Sequence, residues 1–309
     1  MAQNSPTTTS EFAGFLNPNE AAAYFDEARK SSVVQQLVRR VPLGPNGESI
    51  PVTTSKPTAG WVSEGGRKPS SSGGKTLQTI TPQKLAAISV VSAEVVRANP
   101  GGYIDDLRAD IAEAFALAFD AATLHGTDTP FGSSNYIAAA SKSVSLGTAD
   151  RADGSIYADV NAGLSLLVND TPKKRLTGFA FDSQTEPLFN SAVDGNGRPL
   201  FIDSPTVETA EVVRAGRILG RPAFVGETVA NNDTLGFGGD WRQAVWGVVG
   251  GISYDVSTQA TVTLDGELVS LWEHNLVAIR AEAEYGWLVN DTDAFVKYEL
   301  GGESGGGEG

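Results

Sequence analysis

The sequence predicts an α+β fold in which long strands near both ends of the chain flank one long helix and a mixed central unit. Strand-type patterns surround a polar segment near the N-terminus. An apolar stripe with helical spacing runs through residues 103–124. Helix and strand patterns then alternate between residues 155 and 245, which is typical of mixed folds.

The first prominent element is a hairpin whose tip has no apolar pattern. Strand-like runs at Pro51–Thr54 and Leu77–Ile80 enclose residues 64–75, which are rich in Gly, Ser and Lys. A two-stranded ribbon is only marginally stable alone in water. The hairpin is therefore predicted to be an arm that another subunit orders. N-terminal to it, Asn19 is predicted to cap a short helix over residues 21–25.

The strongest helix pattern extends from Tyr103 to Leu124. Apolar residues recur there every three or four positions and form one stripe: Ile104, Leu107, Ile111, Phe115, Phe119 and Ala122. Asp105 and Asp106 fall in the first turn, where the helix dipole favours anions, and Gly126 supplies a C-terminal glycine. A helix of this length is about 33 Å long and would form a spine.

The remaining elements alternate between helix and strand. The patterns predict helices at 155–168 and 182–193 and strands at 178–181, near Ala223, near Val245, and at 259–264, 268–282 and 286–300.

Charge and composition exclude several functions. The 23 Lys and Arg against 37 Asp and Glu give a net charge of −14, which disfavours nucleic-acid binding through phosphate neutralisation. Without cysteine the chain has no disulfide, zinc-thiolate site or cysteine nucleophile. No segment approaches the roughly 20 apolar residues of a membrane helix, and the N-terminus lacks a secretory signal pattern. We therefore expect a soluble chain made in the cytoplasm, with no membrane partner.

The residues that could carry enzyme chemistry form no recognisable pattern. Neither His125 nor His274 has the surroundings of a catalytic base. Residues 73–76 resemble the end of a phosphate loop, but Pro69 replaces the leading glycine and no helix pattern follows. We predict no cofactor and no metal site. The acid-rich surface leaves open a carbohydrate-active β-rich enzyme, although no carboxylate pair can be singled out.

Several local patterns, taken in order, resemble one family. They are Trp61–Glu64, Lys68–Ser70, Thr81–Leu85, Val91–Glu94, Pro130–Gly132, Asp194–Phe201, Gly220–Phe224, Gly238–Trp241 and Asn275–Glu282. With the order of elements, they are similar to the major capsid protein of tailed bacteriophages, whose fold is shared with encapsulins. The resemblance covers about Val33 to Leu300.

This resemblance implies a division of the chain into arms and domains. The expected parts are an N-terminal arm (1–48), an extended β-hairpin arm (49–82), a peripheral domain with a strand and the spine helix (83–132), an axial α/β domain (133–262), peripheral β-strands (263–289), and a return to the axial domain with a flexible C-terminal tail (290–309).

The resemblance also implies a function and partners. This chain would self-assemble as pentamers and hexamers into an icosahedral virion head in the host bacterial cytoplasm, enclosing double-stranded DNA without sequence-specific binding. Scaffolding, portal and decoration proteins are the further partners expected. Because the long charged helical extension of some relatives is absent, a separate scaffolding protein or the short N-terminal segment would replace it. The alternative within the fold is an encapsulin, a nanocompartment that docks cargo proteins.

Some members of the family cross-link their shells through an isopeptide bond between a hairpin lysine and an asparagine of another subunit, promoted by a glutamate. Lys68, Asn275 and Glu282 match those three positions. Seven residues apart on a regular strand, Asn275 and Glu282 would face opposite sides. They would then serve different neighbours, unless a bulge intervenes. The alternative is an uncross-linked shell in which these residues have no such role.

Overall fold

The computed structural model describes residues 32–98, 100–150, 155–192 and 214–301. The helices are α1 (Val33–Leu37), α2 (Ala93–Ala98), α3 (Pro100–Asp120), α4 (Ile156–Val168) and α5 (Glu186–Ser191). The strands are β1 (Arg39–Arg40), β2 (Glu48–Ser55), β3 (Gly74–Ile80), β4 (Gln83–Ser92), β5 (Lys142–Leu146), β6 (Gly178–Asp182), β7 (Arg214–Ile218), β8 (Arg221–Gly226), β9 (Thr234–Gly239), β10 (Ala244–Ser257), β11 (Thr261–Leu264), β12 (Glu267–Ser270), β13 (Leu276–Val289) and β14 (Phe295–Leu300). The helix predicted at 21–25 and the predicted C-terminal tail lie outside the described residues, apart from Gly301.

The spine helix α3 packs against a four-stranded sheet with the order β1-β10-β13-β4. The ring of Phe119 lies 5.2 Å from that of Tyr285 and 6.1 Å from that of Trp287. Both partners are odd-numbered residues of β13, so one face of the strand meets the helix. The predicted stripe is confirmed for Ile111, Phe115, Phe119 and Ala122, which are buried, and Leu107 is partly buried against the same core.

The end of the spine is also close to its predicted position. After Asp120 the chain continues through a π-helical segment, Ala121–His125. Gly126 then stops it at a φ of 73°, the left-handed conformation that glycine adopts without strain.

Asp120 joins the N-terminal segment to the end of the spine. Its fully buried carboxylate accepts hydrogen bonds from Ser32 Oγ (2.5 Å), the backbone N–H of Val33 (2.9 Å) and Thr228 Oγ (2.6 Å). Burial raises the pKa of Asp120 to about 6, although these hydrogen bonds favour the ionised form. The first turn of α1 is thereby fixed to the core.

The second layer is a six-stranded mixed sheet with the order β5-β14-β9-β6-β8-β7. Helix α4 covers it and contributes Val160 and Leu167 to a core that includes Phe179 and Phe181. The helix comes so close to the sheet at Gly163 that a Cβ there would lie 2.2 Å from Tyr298 Oη. The predictions of α4 and β6 are confirmed.

The hairpin arm consists of β2 and β3, which pair only with each other. Its base is held by Ile80, which packs with Leu43 and Val245. Beyond Ser55 the side chains as far as Gly73 are exposed. The predicted hairpin is therefore confirmed, with an anchored base and a bare tip.

The strand predictions for 268–282 and 286–300 are wrong in their breaks. The chain turns at residues 271–275, where Asn275 has a φ of 54°, and β13 then continues unbroken through Gly286 to Val289. Asparagine adopts this left-handed conformation more readily than most residues, which permits the turn. His274 lies in this turn and not on a strand.

Two other elements differ from expectation. The helix predicted over 182–193 is a 3₁₀ turn, Ser183–Thr185, followed by α5, because Asp182 extends β6 by pairing with Gly226. Strand β10 pairs with β13, so hydrogen bonding groups it with the peripheral strands, although the predicted bounds place it in the axial domain. The division into arms and domains otherwise stays a prediction.

Candidate cross-linking site

Asn275 lies at the start of β13, beside the end of β4. Its backbone carbonyl accepts a hydrogen bond from the N–H of Ala93 at 2.9 Å, which continues the pairing of Leu276 with Ser92. Its side chain is exposed. The amide is therefore held on a fixed backbone while remaining accessible to another chain.

Glu94 is the acid that contacts this amide. Asn275 Nδ2 donates a hydrogen bond to the Glu94 carboxylate, and Ser92 Oγ donates another. Hydrogen bonds from the Ser92 side chain, from the backbone N–H of Glu94 and from Asn275, with the charge of Arg97, hold the pKa of Glu94 below its ordinary value. Glu94 is therefore ionised at neutral pH.

Glu282 lies elsewhere in the same chain. It is on the outer face of β13, where its carboxylate is 3.2 Å from Lys84 Nζ and 3.6 Å from Arg280 Nε. Arg280 also pairs with Asp255 at 2.8 Å. Glu282 thus belongs to a surface ion-pair network.

The structure does not bring Asn275 and Glu282 together within one chain. The pairing of β13 with β4 runs without a shift from Leu276 to Tyr285, so no bulge shortens the path. Seven residues of extended chain span about 23 Å. A bulge therefore does not bring the two residues together, so a shared role would require them to act with different neighbouring chains. The alternative of an uncross-linked shell stays open.

Lys68 lies on the exposed part of the hairpin arm. Near it, Gly66 N–H donates to the Ser63 carbonyl at 2.9 Å, and Ser71 bonds to the backbone of Thr58. Trp61 is fully exposed. The lysine is therefore carried by a segment whose residues are all exposed in the single chain.

Glu94 was not singled out from the sequence, where it appeared only as part of a family-like pattern. Ser92 and Glu94 are 2 positions apart at the end of a strand, but they are 181 and more positions away from Asn275. Only the register of β4 on β13 brings them together, and no local signal in the sequence specifies it.

The two histidines and the phosphate-loop-like residues 73–76 lie in surroundings that give them no catalytic or phosphate-binding arrangement. His125 Nε2 lies 2.8 Å from the carbonyl of Val229, and burial lowers its pKa. His274 Nδ1 lies 2.9 Å from the carbonyl of Ser270 on an exposed turn. The phosphate-loop-like residues lead into β3, a strand, where a phosphate loop would lead into a helix.

One cavity of about 330 Å³ lies among basic residues, including Lys173. Its carboxylates are engaged: Asp240 pairs with Arg242 at 2.7 Å, and Asp291 accepts from Lys174. Glycoside hydrolysis needs one carboxyl as acid and another as base or nucleophile. Both carboxylates that line this cavity are engaged in ion pairs, so the cavity offers no unpaired carboxyl pair for these roles. No helix among the described residues is long and apolar enough to cross a membrane.

A polar hairpin arm, a spine helix on a long-stranded sheet and a second mixed sheet are the parts expected of a shell-forming capsid protein. The profile of the phage capsid family matches residues 13–300, and the chain belongs to this family.

Two curated relatives are probable major capsid proteins gp17 of mycobacteriophages. The one from Mycobacterium phage D29 is 47% identical over 100% of this chain and 96% of its own length. The one from Mycobacterium phage L5 is 48% identical over 94% of this chain and 91% of its own length.

Solved structures agree on the fold. A chain of Gordonia phage Cozz has a TM-score of 0.72 at 24% identity, with 95% of both chains covered. A chain of Microbacterium phage Oxtober96 has a TM-score of 0.73 at 17% identity, covering 96% of this chain and 100% of its own. The predicted capsid-protein fold is confirmed, and the carbohydrate-enzyme alternative is wrong.

Proposed function

We propose that this chain, a major capsid protein of a tailed phage, assembles as pentamers and hexamers into an icosahedral head around double-stranded DNA. Self-assembly into a shell follows from its family. Assembly in the host bacterial cytoplasm, with scaffolding, portal and decoration proteins as partners, completes the proposal.

The observation that carries the proposal is the bare arm. Residues 56–73 are exposed, and Trp61 among them is fully exposed. Burying a large apolar side chain contributes roughly 1.5–3 kcal/mol, which the arm does not gain within its own chain. A neighbouring copy would provide that burial, so the arm is suited to contacts between subunits.

The charge suits a container for DNA. A net charge of −14 disfavours tight binding of phosphates by the protein as a whole. The shell would therefore enclose the genome without holding it in a fixed position.

The proposal includes covalent links between Lys68 and Asn275 of different copies. The Lys68 amine attacks Asn275 Cγ, the new C–N bond replaces the bond to Nδ2, and ammonia leaves. Lysine is protonated near neutral pH, with a reference pKa of about 10.4, so a carboxylate must first accept its proton. Glu282 of another copy is the acceptor that the family resemblance implies. Oriented contact in the shell would replace a slow encounter in solution.

Electrophoresis of mature particles in hot detergent tests the links. Wild-type shells are expected to give covalent multimers, and peptide mass spectrometry is expected to show Lys68 joined to Asn275. Lys68→Arg should still assemble but dissolve to monomers, because arginine stays protonated and is no nucleophile at ordinary pH. Lys75→Arg, which changes another exposed lysine of the same hairpin, is the matched control and should retain the multimers.

Electron microscopy tests the shell itself. Closed particles that contain DNA support the phage head, whereas DNA-free particles with bound cargo protein would support the encapsulin alternative. A stable monomer at high concentration with a protease-resistant arm would contradict assembly. Wild-type particles that run as one band near 32.3 kDa, with unmodified Lys68 peptides, would contradict the cross-link alone.

A further inference from the structure

The contact between Glu94 and Asn275 bears directly on the proposed link. Asn275 Nδ2, which donates to the Glu94 carboxylate, is the nitrogen that would leave as ammonia. A general acid or base must lie within hydrogen-bond reach of the atom whose proton it moves. Glu94 already meets this condition in a single chain.

Glu282 does not meet this condition in the chain that carries Asn275. The two are about 23 Å apart along the strand. The carboxylate of Glu282 lies instead next to Lys84 and Arg280 on the outer face of β13. An acid that is bound to the amide has the shorter route to the reacting atoms.

We propose that Glu94, in place of the Glu282 of another copy that the family resemblance implies, is the catalytic carboxylate of the Lys68–Asn275 link, an assignment that rests on the proposed cross-linking. When the arm of a neighbouring copy brings Lys68 to Asn275 Cγ, the Glu94 carboxylate accepts a proton from the lysine ammonium. The same carboxyl then returns the proton to the leaving nitrogen.

The protons balance without any other reactant. The lysine ammonium gives one proton to Glu94, and the free amine adds to Cγ. A second proton passes from the attacking nitrogen to Nδ2, which leaves as ammonia. Ammonia takes the proton held by Glu94 and departs as ammonium, so that Glu94 ends ionised, as it began. No oxidant, reductant or metal is required.

Neighbouring groups prepare Glu94 for this role. Ser92 is buried, and its hydroxyl donates to the carboxylate while its oxygen accepts from the Glu94 backbone N–H at 3.2 Å. Ser92 is thus a positioning residue. Hydrogen bonds from Ser92 and Asn275, with the charge of Arg97, hold the pKa of Glu94 below its ordinary value, so the carboxylate is ionised in the single chain. A lower pKa makes a carboxylate a weaker base, so the role of Glu94 rests on its contact with the reacting amide and not on this shift.

The exposure of the site explains why the reaction would wait for assembly. Both Glu94 and Asn275 are exposed in the single chain, where water surrounds the amide and no lysine is held beside it. Docking of the arm would exclude water and strengthen the hydrogen bonds around the carboxylate. The free chain would therefore stay unlinked even though its acid and amide are in contact.

The test compares Glu94→Gln with Glu282→Gln in assembled particles. Glutamine preserves the size and a hydrogen-bond acceptor but accepts no proton. Loss of general acid–base catalysis costs roughly 10²- to 10⁴-fold. We expect Glu94→Gln to assemble and to link at least about 100-fold more slowly than wild type. Glu94→Asp, which keeps a carboxylate one methylene short, should link at an intermediate rate.

The pH profile separates chemistry from a structural effect. Without the carboxylate the reaction depends on lysine that deprotonates unaided, so the Glu94→Gln rate should rise about tenfold per pH unit towards the lysine pKa of about 10.4. The wild-type rate should change less between pH 6 and 8. A uniformly slower variant with the wild-type profile would mean that Glu94 only supports the local structure, and would overturn the assignment.

The remaining outcomes distinguish this assignment from the cross-link itself. If wild type links and Glu94→Gln links equally fast, Glu94 has no role while the cross-link stands. If Glu282→Gln alone stops the reaction, the acceptor is Glu282 of another copy. If wild-type particles contain no link, the cross-link and the role of Glu94 are both refuted.

Discussion

Replacing Asp120 with asparagine should change the pH dependence of the free energy of unfolding. Burial raises the pKa of Asp120 from 3.8 to about 6. A shift of this size corresponds to about 3 kcal/mol. The pKa of Asp120 is higher in the native chain than in the unfolded chain, so the native chain binds the proton of this carboxyl more tightly. The stabilisation from this proton is complete below the unfolded pKa and is lost as the pH rises through the native pKa. Between pH 5 and 7.5 the loss is roughly 1.4 kcal/mol.

Asparagine fits the same place. Its Oδ1 can accept from the Val33 N–H and the Thr228 hydroxyl, as one carboxylate oxygen does now. Its Nδ2 can donate to Ser32 Oγ, whose hydroxyl hydrogen is free to turn away. The variant should therefore fold while losing the titration of this group.

Urea unfolding of the unassembled, unlinked chain at pH 5 and pH 7.5 measures the effect. Relative to Asp120→Asn, wild type should lose about 1.4 kcal/mol between the two pH values. Asp265→Asn, an exposed position where asparagine also tolerates the φ of 52°, is the control and should show no such difference. Equal slopes for wild type and Asp120→Asn, or a wild-type stability that rises with pH, would refute the assigned cause.

Two further substitutions test the packing. Phe115→Asp should abolish soluble folding, because it places an unpaired charge in the buried stripe. Such a charge costs several kcal/mol, which is comparable to the stability of a whole domain. Normal expression and normal shells would show that the stripe is not part of the core. Gly163→Ala should lower the free energy of unfolding in urea by about 1–3 kcal/mol, since its Cβ would meet Tyr298. Gly251→Ala places its Cβ in open space and serves as the control. Equal urea midpoints for the two variants would contradict the close approach at Gly163.

The sequence predicts the elements whose signals are local. The spine follows from residues spaced three and four apart, and its end follows from Gly126, where the left-handed conformation suits glycine. The arm follows from the opposite signal, a segment with nothing apolar to bury. Both kinds of pattern reflect the side chains within a few positions of each other.

The breaks between strands were beyond this kind of inference. The sequence predicts one strand over residues 268–282, yet the chain turns at residues 271–275 between β12, which pairs with β11, and β13, which pairs with β10 and β4. The pattern predicts a strand boundary at Gly286, but β13 pairs with β10 without a break through Gly286. A Cβ at this position would lie 2.4 Å from Ile80, which accounts for the glycine. Glycine at this position reflects close packing against the base of the arm, and packing of distant segments leaves no periodic trace in the sequence.

Lys68 and Asn275, the two residues of the proposed link, are held in different ways within one chain. Asn275 is fixed just before β13 by its bond to Ala93, whereas Lys68 is carried on an arm whose residues 56–73 are exposed. The amide is thus already positioned, and the lysine must be positioned by whatever surface receives the arm. Orientation of two reacting groups can lower a barrier by roughly 7–11 kcal/mol, more than acid–base catalysis alone supplies. Docking of the arm would therefore control when the bond forms, and Glu94 would determine how fast it forms once docking has occurred.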